Sequence, residues 1–137
     1  MKLQPYIFFY GRCAEALEFY KAAFGGSYDA QTVAESVMKD QFPAGRHGDI
    51  MHASFTAGDL QFLCSDGDQK KAIDPDEGNV EMALAAGDAA EANRVFAALS
   101  AGGNVKMPLG PAPWQDGTTF GMVVDKFGIG WLMTAPA

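Results

Sequence analysis

The sequence predicts an α+β fold: two tandem βαβββ modules in a single domain of 137 residues. Three observations carry this expectation. Two helical stretches match each other at a fixed offset. Each is preceded by one β-prone run and followed by three more. A polar, turn-rich segment separates the two sets, which places the modules at 1–68 and 79–137.

The first module opens on Tyr6-Ile7-Phe8-Phe9-Tyr10, an aromatic run suited to a strand. The stretch C-A-E-A-L-E-F-Y-K-A-A-F from Cys13 puts Ala16, Leu17, Tyr20 and Phe24 on one helical face. Gly25-Gly26 is a C-terminal stop. Strand signals follow at 28–33, 51–56 and 60–64. The loop K-D-Q-F-P-A-G-R-H-G-D from Lys39 interrupts them, and its His47 is expected at the surface.

The second module repeats this order. A strand is expected at 80–84 and a helix from Ala89. Laying Ala14-Glu15-Ala16 over Ala90-Glu91-Ala92 gives an offset of 76 positions, and Tyr20 then falls on Phe96 and Gly26 on Gly102. Asp88 followed by Glu91 has the spacing of a capping box. Strands are expected at 105–109, 120–124 and 131–134. The link D-G-D-Q-K-K-A-I-D-P-D-E-G-N from Asp66 reads as a surface connection, with Ser65-Asp66 as turn entry. Near the end, V-V-D-K-F-G-I-G-W-L-M reads as a hairpin. Gly128 takes a positive φ there, Phe127 plugs the core, and Asp125 bonds nearby amides.

Composition narrows the function. The net charge of −7 opposes nucleic-acid binding, which needs a basic surface to displace counterions. No apolar run reaches the length of a membrane span, and the N-terminus lacks a signal-peptide pattern. A cytoplasmic protein is expected. Cys13 and Cys64 belong to no C-x-x-C and read as buried structural thiols.

Four stretches carry a family resemblance: P-Y-I-F-F-Y-G-R-C-A-E-A-L-E-F-Y from Pro5, I-M-H-A from Ile50, M-P-L-G-P from Met107 and D-K-F-G-I-G-W from Asp125. They resemble the PhnB-like branch of the vicinal oxygen chelate superfamily, which includes glyoxalase I and the bleomycin-resistance proteins. The resemblance implies a curved, cup-shaped mixed sheet with helices outside. It also implies a small molecule in the cup and a homodimer. The modules pair within one chain or across two. The branch often carries a demethylubiquinone methyltransferase label. The sequence has no Gly-rich loop after a strand with an acidic residue beyond it, as a Rossmann-like nucleotide site would need.

Metal-dependent relatives hold a divalent ion with four His, Gln or Glu side chains, two per module. By the resemblance, those positions fall here on Pro5, Gln61, Val80 (or Glu81) and Leu132. Only Gln61 and Glu81 could ligate, with His52 as a further weak candidate. No metal or other cofactor is expected. For a ligand, Tyr6, Phe8 and Tyr10 alternate on one strand face, opposite Ile7 and Phe9. His52 and Ser54 share a face of a later strand. Trp114, in a Pro-bounded loop, and Trp131 complete the candidates with Gln61.

Three readings follow. The favoured one is a small-molecule-binding protein without metal, its ligand unknown and no catalytic residue evident. The second is a metal-dependent lyase, isomerase or dioxygenase using Gln61, Glu81 and His52. The third is an interaction protein whose cup is filled by its own side chains.

Overall fold

A computed structural model describes residues 1–74 and 78–137. Pro75, Asp76 and Glu77, in the link between the modules, lie outside the described residues. The chain divides into two compact units, Met1–Ala72 and Ile73–Ala137.

The first unit contains β1 (Tyr6–Phe8), α1 (Cys13–Phe24), β2 (Ser27–Thr32), β3 (Ile50–Ala57) and β4 (Leu60–Ser65), with two short 3-10 turns between β2 and β3. Its sheet runs β1-β4-β3-β2. β1 is parallel to β4, because α1 crosses between sheet edges, and the other pairs are antiparallel. α1 buries Cys13, Ala16, Leu17, Tyr20 and Ala23, at helical spacing, against one face of the sheet. That face supplies Ile7 from β1, Ala53 and Phe55 from β3, and Phe62 and Cys64 from β4. Phe9, just beyond β1, is buried with them. Phe55 and Phe62 stack at 5.0 Å, and Tyr20 meets Phe62 edge-on at 5.5 Å. Paired rings of this kind are worth about 0.5–1.5 kcal/mol beyond their buried area.

The start of α1 is tied down from a distance. Arg12, at the N-cap, makes no side-chain cap bond. The carboxylate of Asp66 replaces it: Oδ1 accepts from the amides of Gly11 and Cys13, each at 2.8 Å, and Oδ2 accepts from Ile50 at 2.8 Å. Asp66 is therefore a buried tie between α1, β3 and β4 rather than simple turn entry.

The second unit contains β5 (Met82–Ala85), α2 (Ala89–Ser100), β6 (Asn104–Pro111), β7 (Thr118–Val124) and β8 (Gly130–Pro136). Its sheet, β5-β8-β7-β6, repeats the first order and its one parallel pair, β5 with β8. The two helices have equal lengths and sit at the offset read from the sequence. Asp88 accepts from the Glu91 amide at 2.8 Å, and Glu91 accepts from Gly87. The helix exits correspond with a shift of one position, Gly26 matching Gly103 rather than Gly102. A Cβ on Gly26 would lie 2.1 Å from the carbonyl of Thr56, and one on Gly103 would lie 2.3 Å from that of Val124. Only glycine permits this backbone approach.

Several features differ from expectation. β1 ends at Phe8 rather than Tyr10, because the chain must turn into α1 through Tyr10, at φ 47°, and Gly11. β5 starts at Met82, leaving Val80 exposed. His47 is only half-exposed, and its Nε2 donates to the carbonyl of Phe42 at 3.0 Å. The final hairpin matches its reading: Gly128 has φ 84°, and Phe127 is buried. Asp125 accepts from the amides of Phe127 and Ile129.

Candidate functional site

In each unit the helix covers one face of the sheet. The uncovered face of the first sheet carries most of the sequence candidates. Register fixes its membership, since directly opposed residues point the same way. Tyr6 opposes Leu63, Leu63 opposes Ser54, and Ser54 opposes Asp29. Phe8 opposes Ser65, His52 opposes Gln31, and Gln61 opposes Thr56.

On this face the aromatics form a stripe. Tyr6 and Phe8 are 40% and 46% exposed, with ring centroids 5.1 Å apart. Tyr10 leaves the strand, yet its ring stacks on Phe8 at 6.0 Å and 20°. Tyr6 reaches diagonally across β4 to His52, with Oη 3.0 Å from Nδ1 and ring centroids 5.6 Å apart. Lys71 continues the stripe, its Nζ 4.7 Å from the Tyr10 ring centroid. Gln61 lies apart from the stripe, with Oε1 accepting from Lys2 at 3.0 Å and from Gln4 at 3.1 Å. The structure thus brings Tyr6, Phe8, Tyr10 and His52 together. Leu63 and Lys71 join them without having been foreseen. Leu63 needed the β1–β4 register, and Lys71 sits in the polar link, where no periodicity marks it.

The remaining candidates belong to the second unit. Trp131 is buried on the helix side of β8, and its Nε1 donates to Asp125 Oδ2 at 2.8 Å. Trp114 is exposed, its ring 4.7 Å from that of Phe120. The uncovered face of this sheet carries Leu132, Met122, Phe120 and Ala83, with no ionisable side chain among them. A groove of about 460 Å³ lies on its helix side, lined in part by Ala92, Asn93, Leu109 and Thr119. It contains none of the sequence candidates.

The metal candidates do not assemble into a donor set. His52 and Thr56 are four positions apart on β3, roughly 13 Å at about 3.3 Å per residue. Gln61 faces Thr56, so it cannot share an ion with His52. Glu81 is in the other unit, its side chain packed against Gly130. Pro5 and Leu132 offer no side-chain donor. Among the described residues, no three His, Cys, Asp or Glu side chains cluster in a metal-binding arrangement.

Neither helix start is open to a phosphate, as a nucleotide-dependent enzyme of Rossmann type would require. Asp66 occupies the first and Asp88 the second. No helix among the described residues is long and apolar enough to cross a membrane.

Two βαβββ modules, each with its helix on one sheet face, define the glyoxalase/bleomycin-resistance fold. A superfamily member of that description from Sphaerobacter thermophilus superposes with a TM-score of 0.59 over 98% of each chain, at 13% identity, which is a likeness of fold alone. Residues 1–134 match the family described as 3-demethylubiquinone-9 3-methyltransferase, and the chain belongs to that family. The crystal structure of protein PA1353 from Pseudomonas aeruginosa is 33% identical, with a TM-score of 0.82, covering 99% of this chain and 98% of that one. A PhnB protein from Bacillus cereus is 25% identical, with a TM-score of 0.73, covering 98% of this chain and 99% of that one.

Proposed function

We propose that this chain is a small-molecule-binding protein whose ligand rests on the uncovered face of the first sheet, without a protein-held metal. One observation carries the reading. Two large aromatic side chains, Tyr6 and Phe8, stand substantially exposed and continuous with the rings of Tyr10 and His52. Exposed aromatic surface of this kind gains about 25 cal/mol for each Å² that a ligand covers. The polar groups beside it, His52 and Ser54, supply direction.

The family description names a methyl transfer. That reading lacks support in the residues, because both helix starts are filled by aspartates and no Gly-rich phosphate loop is present. The metal-dependent reading lacks it too, because the candidate ligands do not converge on one point.

The test is a thermal-shift and calorimetric screen of small aromatic compounds against the native chain and Phe8→Ala. A hit that stabilises the native chain and loses most of its effect in the variant supports the reading. A flat screen, or hits indifferent to Phe8, refutes it. Metal analysis of protein purified without added metal forms the second arm, and a stoichiometric transition metal would overturn the metal-free part.

A further inference from the structure

Charge is distributed unevenly along the aromatic stripe. The chain as a whole carries −7. Yet two lysines lie at the Tyr10 end of the stripe. Lys71 lies over the Tyr10 ring, and the Lys70 side chain runs along Gly11, where a Cβ would meet its Cε at 3.3 Å. Neither lysine has a carboxylate partner among the described residues. Arg46 sits behind the same turn, donating to the carbonyls of Gly67 and Asp68 while paired with Asp49 at 2.8 Å. Gly67 is itself against the rings: a Cβ there would be 3.3 Å from Tyr10 and 3.4 Å from Phe8.

The opposite end presents a hydrogen-bond donor. The Tyr6 hydroxyl lies 3.0 Å from His52 Nδ1; because a phenol is a stronger acid than a neutral imidazole, the hydroxyl is assigned as the donor. The neutral ring then carries its proton on Nε2, which has no protein partner among the described residues. The face therefore offers an N–H at one end, flat ring surface in the middle, and at the other two ammonium groups without a carboxylate partner among the described residues.

From this order we infer that the ligand class is a flat aromatic anion. Its rings lie on Tyr6 and Phe8, its acidic group reaches Lys70 and Lys71, and an oxygen acceptor meets His52 Nε2. The inference rests on the small-molecule reading above and specifies its ligand. Ring contact alone would suit any aromatic compound. The two lysines make the site discriminate by charge, since an exposed ion pair is worth up to about a fivefold gain in affinity.

Two probes separate these contributions: 8-anilinonaphthalene-1-sulfonate and N-phenyl-1-naphthylamine, which share their rings and differ in the sulfonate. Both are titrated by fluorescence against the native chain, Phe8→Ala and the double variant Lys70→Gln/Lys71→Gln. The lysines are exposed, so circular dichroism of the double variant is expected to match the native chain. The expected result is roughly fivefold tighter binding of the sulfonate. That preference disappears in the double variant, where the sulfonate loses more affinity than the neutral probe, and both probes weaken in Phe8→Ala. Equal binding of the two probes, with both weakened by Phe8→Ala, overturns the anion inference and leaves the small-molecule reading standing. A sulfonate preference that survives in the double variant overturns it as well, placing the anion elsewhere. Absence of binding by either probe, or binding indifferent to Phe8, removes the underlying reading too.

Discussion

Replacing Asp66 with asparagine keeps the side chain's size and shape and removes one acceptor. The carboxylate takes three backbone N–H groups, from Gly11, Cys13 and Ile50, each at 2.8 Å. An amide has a single oxygen. If that oxygen stays with Gly11 and Cys13, its NH2 faces the N–H of Ile50, donor against donor. The stranded buried amide costs about 1–3 kcal/mol. The two bonds that survive become neutral, losing about half their strength. Removing an anion from the start of α1 costs about 0.3–1 kcal/mol more. Asp66→Asn is therefore expected to destabilise the chain by about 4 kcal/mol, a large part of the 5–15 kcal/mol typical of a domain. Urea unfolding followed by far-UV circular dichroism measures it. Asp59→Asn, at the exposed tip between β3 and β4, serves as the control and should stay within about 0.5 kcal/mol of the native chain. Hydrogen exchange should quicken first at Gly11, Cys13 and Ile50. A loss below about 1 kcal/mol for Asp66→Asn would show that water or a shifted backbone replaces the lost acceptor, and the reasoning would fall.

Two further outcomes follow from buried groups. Asp125 and Trp131 should couple: Asp125→Asn turns an NH2 toward the indole N–H, while Trp131→Phe removes that donor. The double variant should then be more stable than the two single losses added together by at least about 1 kcal/mol; strict additivity in urea unfolding would deny the bond its role. The Cys13 thiol lies 3.6 Å from Cys64 Sγ, and its pKa is pushed far up, first by donating its hydrogen bond to Cys64 and then by burial. Neither thiol should react with a disulfide reagent in the native chain, while both should react once it is unfolded in guanidinium. Because folding favours the neutral thiol, its contribution to stability is complete below the ordinary thiol pKa of about 8.5 and falls as pH rises beyond it. Rapid modification of either cysteine in the folded chain would contradict this.

The family description and the residues point in different directions, and the residues carry more weight for chemistry. A fold hosts many activities, and activity resides in the site built on it. Here both helix starts are closed by aspartates, and the metal positions of related proteins hold side chains that cannot ligate or do not converge. The first sheet presents aromatic rings instead.

Much of the architecture was legible in the sequence because it rests on local rules. Helical spacing of apolar residues marked α1 and α2, and glycine pairs marked their ends. Alternation placed Tyr6 and Phe8 on the face opposite Ile7. The Asp88–Glu91 spacing gave the cap of α2, since a cap three residues away is a local feature. Other features depended on pairs distant in the chain. The cap of α1 is Asp66, 53 residues beyond Cys13, and no spacing rule reaches that far. Trp131 reads from sequence as a pocket candidate, yet register puts it on the helix side of β8, bonded to Asp125. Tyr10 reads as the last residue of a strand, but the entry to α1 bends it out of the ladder while its ring stays on Phe8. Periodicity states which residues share a face. Only strand register and long-range hydrogen bonds decide which faces meet a helix, which stay uncovered, and that His52, Tyr6, Phe8, Tyr10 and Lys71 form one continuous surface.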